Sequence, residues 1–452
     1  MTTLHRRWLI AIILISISLR LASVIYMGNQ VTDLPGTYDQ ISYDALARRV
    51  ITGHGFSFGQ PWWPATAANA PTAHWSFLYT IYVAAVYGLF GFTPLAARMI
   101  QAILAGILMP LLLFRLGNRV FGAVVGLVAA GISAIYIYFF YYAASLMTET
   151  FFIIGILWCF DIAIGIRYTQ NPGVGRWILL GFAMMVTTLL RQTFLPVIGL
   201  IGLWLWFAAE GFRLKIVKGF ALSVLILILG IAPWTLRNYM VFHQFVLLNT
   251  NAGYAIYWAN HPIFGTNFSN ELPQGVTWGS LIPKELLGMN EASLEKELMR
   301  RAIQSILNDP SRYVLLSLSR IKEQFKFWPT TDSSIISNLS RVGSFALFLP
   351  FMCYGTWLAI FRPVKYKLFD RDDGGSKLSR ISASLKSPVA LWLGFFCLYT
   401  AMHLASWAAI RYRLPTDAVM IIFAAFGIVD IYDWLIVKLG SKARKVQETI
   451  IV

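Results

Sequence analysis

The sequence predicts an all-α polytopic membrane protein with about ten transmembrane helices. It also predicts an extracytoplasmic loop carrying interfacial helices, and a small mixed extracytoplasmic cap. Three observations lead there. Of 452 residues, 57% are hydrophobic and only 13% charged, and the mean hydropathy is +0.63, far from a soluble average. Apolar runs long enough to cross a bilayer recur along the chain. The net charge of +16 is gathered in short basic tracts between those runs, which is orientation chemistry and makes nucleic acid an improbable partner. Cys159, Cys353 and Cys397 all lie in apolar stretches without metal-type spacing, so buried free thiols are expected.

The first run, 8 to 28, follows His5, Arg6 and Arg7 and reads as an uncleaved helix with a cytoplasmic N-terminus. Arg20 interrupts it, and snorkelling toward the interface is the simpler expectation. The aromatic-rich stretch 75 to 90 is short for a crossing and suits the outer interface. Further crossings are expected at 96–115, 121–141, 150–168, 176–190, 194–209, 216–236, 342–361, 389–410 and 415–436. This register makes Arg115, Arg119, Arg167, Arg176, Arg213, Lys215, Lys218, the tract from Arg362 to Lys386, and the Lys438, Lys442, Arg444 and Lys445 group cytoplasmic. It satisfies the positive-inside pattern and leaves both termini inside.

The expected divisions are a transmembrane core, 1–236, with a catalytic outer loop at 29–95; a cap segment, 237–341; and C-terminal helices, 342–452, with a basic inner loop at 362–388. Within the cap, Phe245 to Ala259 reads as extended. Ser293 then caps an amphipathic helix that stops at Asn308, and a second helix runs from about Ser311 to Trp328. Asp370 to Ser376 reads as a flexible inner loop.

The chemistry is expected at the outer face. Asp39 opens a helix that Gly53 and Gly55 close, with Tyr43 one turn further on the same face. As a hydrated acid, Asp39 can act as a base toward an incoming hydroxyl or amine, or simply as an N-cap. Asp44, four residues before Arg48, suits an i,i+4 ion pair better than a second base, and stays with Tyr43 and His74 among the candidate substrate contacts. Arg191, Arg237, Arg411 and Arg413 end helices on the outer side, against the charge trend. Their planar forks suit a membrane-borne phosphate or pyrophosphate. Asn238 follows Arg237 directly. Glu149 is a first-turn acid after Thr148, able to serve the helix dipole, a divalent cation or a sugar hydroxyl. No cofactor is firmly implied, and Glu149 is the one candidate metal ligand.

Several ordered blocks resemble the multi-spanning GT-C glycosyltransferases, in the bacterial branch related to dolichyl-phosphate-mannose protein mannosyltransferases (glycosyltransferase family 39-like). They are YDQISYDALARRVITGHGF, LFGFTPLAARMIQA, LMTETFF, LLRQTFL, APWTLRNYMVFHQFVLLNTNAGYAIYWANHP and RYRLPTD. The resemblance implies transfer of a sugar from a polyprenyl-phosphate donor to an extracytoplasmic acceptor (protein, lipid or envelope glycan) at a bacterial inner membrane. Asp39 looks like the family's catalytic base, Glu149 like its second-loop acid, and Arg191, Arg237 and Arg411 like basic positions near the donor phosphate. The chain departs from the family at APTAHWSFLY, where related sequences carry consecutive prolines and a basic residue and this chain has His74, Trp75 and Ser76; His74 reads equally as a replacement for the basic group and as an interfacial histidine. Two rivals share some features: a lipid-pyrophosphate glycan polymerase or ligase, and a lipid or glycan transporter, which would show paired repeats and midplane polar groups.

Overall fold

The computed structural model describes residues 2–34, 38–169, 171–209, 213–331, 333–362 and 385–450, with side chains through 438. The expected inner loop at Asp370 to Ser376 lies outside the described residues. In chain order the helices are α1 (Thr3–Met27), α2 (Asp39–Ile51), α3 (Phe77–Phe90), α4 (Pro94–Val120), α5 (Ala123–Ile135), α6 (Ile137–Ala143), α7 (Glu149–Arg167), α8 (Val174–Leu190), α9 (Leu195–Ala208) and α10 (Arg213–Phe242). Then follow α11 (Ala252–Ala259), α12 (Glu291–Asn308), α13 (Pro310–Gln324), α14 (Ile335–Arg341), α15 (Leu347–Phe361), α16 (Pro388–Ala405) and α17 (Ile410–Ile450).

All ten segments expected to cross are helical, but their lengths reduce the count. Among the described residues seven helices are long and apolar enough to span a membrane, eight if α5 and α6 form one bent span. Thus α8, with 17 residues, and α9, with 14, fall short of the ~20 that a hydrocarbon core asks for.

The bent pair turns by 58° at Tyr136, and the reason lies in α1. Arg20 does not snorkel; it is fully buried. Its guanidinium donates to the Ser16 carbonyl (3.2 Å) and to the Ser133 carbonyl (3.3 Å), with the Met109 sulfur at 3.6 Å. Ser133 lies in the last turn of α5, where carbonyls lose their intrahelical partners. A break at membrane depth is tolerated where buried protein groups satisfy the freed backbone, and Arg20 does this here.

Small residues set the helix crossings. A Cβ on Gly126 would stand 2.5 Å from the Phe114 carbonyl, and one on Gly355 1.8 Å from the Phe423 carbonyl. Glycine at these points lets α5 approach α4, and α15 approach α17, backbone to backbone. At the ends that the sequence places inside, Asp161 holds Arg115 (2.7 Å) and Arg119 (3.1 Å).

The cap is helical where a strand was expected. Residues 245–251 are irregular and α11 follows, because side chains of α10 take the carbonyls that a neighbouring strand would need. Trp234 Nε1 donates to Leu248 O (2.9 Å), Thr235 Oγ1 to Leu247 O (2.7 Å), and Asn238 Nδ2 to Leu248 O (3.0 Å) and Val246 O (3.3 Å). Among the described residues there is no strand; isolated bridges join Ser57 to Pro71 and Trp62 to Thr66. Helix α12 starts a turn earlier than expected, capped by the Asn290 side chain accepting from Ser293 N (2.9 Å).

Candidate active site

Helix α2 carries Asp39 in its first turn and Arg48 and Arg49 in its last, which suits the helix dipole. Tyr43, Leu46 and Ala47 form its buried face, and Gly53 at φ +81° turns the chain out beyond it. Tyr38 occupies the capping position without a side-chain bond. The Asp39 carboxylate also has a partner far along the chain.

That partner is Arg411. Arg411 Nη1 donates to Asp39 Oδ2 at 2.6 Å, and both side chains keep a little under a fifth of their surface exposed. Arg411 Nη2 also donates to Tyr412 Oη (3.0 Å), with the guanidinium carbon 4.9 Å from the Tyr412 ring centroid. The same ring lies 5.5 Å from the guanidinium carbon of Arg191. One tyrosine thus meets two arginines, and His403 stacks on it with centroids 4.7 Å apart.

Arg191 completes a second acid–base pair. Its Nη2 donates to Glu149 Oε1 (2.7 Å) and its Nε to Thr148 Oγ1 (2.8 Å). Thr148 does occupy the capping position of α7, but its hydroxyl serves Arg191 and caps nothing. Glu149 is fully buried, and its Oε2 has no hydrogen-bond partner among the described residues. Among the described residues no three His, Cys, Asp or Glu side chains gather to hold a metal. Tyr43 is buried beside both pairs. Burial, with the Asp39 and Glu149 charges, pushes its phenol well above the ordinary value against the pull of Arg191 and the Ser76 N–H. Tyr43 is a neutral hydrogen-bonding group at any working pH.

Two residues with no place in the expected site hold this geometry. Arg98, buried in the first turns of α4, donates to Gly28 O (2.7 Å), Gln30 O (2.9 Å) and Gln40 Oε1 (3.1 Å), fixing the chain that leads into Asp39. Glu291, at the start of α12, accepts from Ala73 N (2.8 Å), Thr66 Oγ1 (3.0 Å) and the Thr250 hydroxyl, binding the outer loop to the cap. An arginine in a span's first turn is a visible signal. Glu291, more than two hundred residues from its loop partners, leaves none.

The remaining expected residues divide. Asp44 has both oxygens engaged, one by Arg48 (2.8 Å) and one by the Tyr87 hydroxyl. His74 is buried among Trp63, Trp75 and Tyr254. Burial lowers its pKa from the ordinary 6.5, with Glu291 and then Asp39 opposing, which favours the neutral ring. Asn238 spends its amide on the carbonyls of 246 and 248. Arg413 is fully buried against Asp417 (3.0 Å) and is not part of the Arg411 cluster. Residues two apart on a helix point about 200° apart.

Arg237 stands apart in another way. It donates to Thr72 O (3.0 Å), Asn238 Oδ1 (3.1 Å) and Phe56 O (3.3 Å) and lies 4.7 Å from the Trp234 centroid. Unlike the other three arginines, it meets no carboxylate within ion-pair distance among the described residues. It faces a cavity of about 500 Å³ walled by Phe56, Phe77, Trp234, His54 and Asn69.

Fold and site together define a polytopic membrane protein with paired acids and arginines at one end of its bundle. Residues 75–236, about a third of the chain, match the family described as dolichyl-phosphate-mannose-protein mannosyltransferase. The fold is also that of an archaeal oligosaccharyltransferase, AglB from Archaeoglobus fulgidus. The structure with an inhibitory peptide and a dolichol-phosphate matches at TM-score 0.57 and 14% identity over 98% of this chain and 52% of that one. The apo form matches at 0.59 and 16%, over 97% and 52%. The chain therefore spans about half the length of these proteins. ArnT from Cupriavidus metallidurans bound to undecaprenyl phosphate is a weaker likeness, at TM-score 0.41 and 12% identity over 93% of this chain and 78% of that one, and nothing below rests on it. No curated protein sequence matches the chain significantly.

Proposed function

We propose that the protein transfers a sugar from a polyprenyl-phosphate donor to an acceptor on the extracytoplasmic side of a bacterial inner membrane, with inversion at the anomeric carbon. The observation that carries this reading is the Asp39–Arg411 pair beside the Glu149–Arg191 pair, in a chain whose 75–236 segment has the mannosyltransferase signature. The donor's tail lies in lipid against α10, whose Leu229, Leu236 and Met240 are exposed. Its phosphate is drawn by Arg237, which has no carboxylate within ion-pair distance among the described residues, and by Arg191 and Arg411.

The phosphate competes with Asp39 for Arg411. Once it takes that guanidinium, the Asp39 oxygen is released and can accept the acceptor's proton. The acceptor oxygen or nitrogen then bonds to the anomeric carbon as the bond from that carbon to the phosphate oxygen breaks. The electron pair leaves on the phosphate, where arginine donors stabilise it. Glu149 Oε2, buried without a partner, suits a sugar hydroxyl or a cation. No nucleotide or redox cofactor enters this reaction.

The test is release of labelled sugar from a panel of polyprenyl-phosphate sugars by membranes carrying wild-type or Asp39→Asn protein, supplied with envelope acceptors. Transfer by the wild type alone supports the reaction and the base together. Folded wild-type protein that consumes no donor in the panel removes the reading.

A further inference from the structure

Helix α13 has two faces with opposite surroundings. Leu316, Arg320 and Gln324 are fully buried, whereas Val314, Leu315, Leu318 and Ile321 are between 42% and 57% exposed. The exposed set has the spacing i, i+1, i+4, i+7, a continuous apolar stripe on the side away from the protein. Such a stripe on a soluble cap would be a liability, so its position relative to the membrane decides what it means.

Two hydrogen bonds fix that position. Tyr313 Oη donates to Ala405 O (3.0 Å) and Arg320 Nη1 to Leu404 O (2.8 Å). These are the last carbonyls of α16, a membrane span, and they have no partner within their own helix. Seven residues of helix, about 10 Å, separate Tyr313 from Arg320, yet both reach adjacent carbonyls. The end of α16 thus abuts the side of α13, which runs across the span's end and does not continue it. The other bonds hold the same pose: Arg320 Nη2 to Ala259 O (2.6 Å), Ser319 Oγ accepting from Phe268 N (2.8 Å), and Arg413 Nη1 to Gln324 O (3.1 Å).

We infer that α13 is an interfacial helix, lying in the plane of the leaflet at the Asp39 end and burying its exposed stripe among lipid headgroups and upper acyl chains. Continuity argues for lipid as the occupant. Ten residues beyond α13 the chain enters the next span at Ile335, Ile336 and Leu339, each more than half exposed. Lys322, Lys326, Phe327 and Trp328 flank the stripe, the cations and aromatics that favour the membrane boundary. The helix is then a strut with three attachments: lipid on one face, cap residues 259 and 260 on the other, and, through Gln324, the helix that carries Arg411.

The test uses spin labels on the full chain in phospholipid bilayers, in a Cys353→Ser, Cys397→Ser background because those thiols are exposed. Labels at Leu315→Cys and Leu318→Cys are compared with Arg300→Cys on the water-exposed face of α12 and Leu229→Cys on the outside of α10. Expected is oxygen accessibility near that of the Leu229 position, and collision with an aqueous nickel chelate several-fold below that of Arg300. Nickel accessibility equal to Arg300 overturns the inference, because the face is then in water. Protection from both probes overturns it too, because protein then covers the stripe. Either label alone suffices should the other variant fail to fold.

Discussion

Arg411 and Arg413 stand two residues apart on one helix, and each is paired with an aspartate, but the two pairs have opposite characters. Arg413 and Asp417 are sealed: side-chain exposure is 0% and 2%. Arg413 also donates to Gln324 O (3.1 Å) and lies 3.5 Å from the Phe345 centroid, while Asp417 accepts from Tyr136 Oη (2.7 Å). Arg411 and Asp39 come from segments 372 positions apart, are partly exposed, and share their surroundings with a buried carboxylate oxygen that lacks a partner. A sealed pair specifies where a helix sits. A half-open pair can exchange one partner for a substrate, so the same two residue types act as scaffold on one side of α17 and as candidate machinery on the other.

The largest effect that would break this contrast is at Asp39. Asp39→Asn should lower single-turnover transfer by roughly 10²- to 10⁴-fold, the usual share of a positioned base, with donor affinity kept or raised because Arg411 loses its competitor. Equilibrium binding of the donor to the folded variant checks the second half. A weaker-binding variant with near-normal turnover would show that the open pair is merely structural.

At the sealed pair the expected loss is of stability. Arg413→Met or Asp417→Asn strands a buried charge, at a cost of about 3–5 kcal/mol. Arg413→Met combined with Asp417→Leu should recover much of it, since apolar replacement of a whole buried pair is often neutral. Thermal unfolding in detergent reads both. Equal damage from the single and double variants would mean that the pair does more than satisfy itself.

How much of this was legible depends on how far apart the contacting residues lie. The apolar runs and basic tracts located the helices, because crossing a bilayer is a local demand on composition. Asp39, Glu149, Arg191 and Arg411 stood out as charges at helix ends, although nothing in the spacing showed which acid meets which arginine. The pattern RYR presented two equivalent arginines, and only the helical register separates them. The buried role of Arg20 is not legible locally, because the break at Tyr136 that it serves lies 113 positions from it, counted to Ser133. The strand expected at Phe245 to Ala259 failed because the carbonyls there are claimed by side chains of α10, a tertiary fact invisible to local propensity.

A smaller effect is expected at the second open pair. Arg191 reaches Thr148 through Nε and Glu149 through Nη2 at once, which a lysine's single ammonium does not reproduce. Arg191→Lys should cost about 1–2 kcal/mol of transition-state stabilisation, roughly a tenfold fall in kcat/KM, within the range for charge-assisted bonds. Arg191→Lys with full activity would place this pair with the sealed one.

The smallest effect is a pH slope at His74, which distinguishes a neutral buried ring from a hidden cation in the same loop. Its folded pKa is lowered from 6.5 by burial, against the opposing pull of Glu291 and Asp39. Below about pH 6.5 the unfolded chain takes up a proton on this residue that the folded one resists, so stability falls as pH drops from 6.5 toward the lowered folded value. His74→Phe keeps a ring against Trp63, Trp75 and Tyr254 and removes that proton. The variant's melting temperature should therefore fall less steeply than the wild type's between about pH 7 and pH 5. A variant with an unchanged or steeper slope would mean that His74 is charged in the fold, paired with Glu291 or Asp39, and that a fourth cation, after Arg191, Arg237 and Arg411, belongs to the open site.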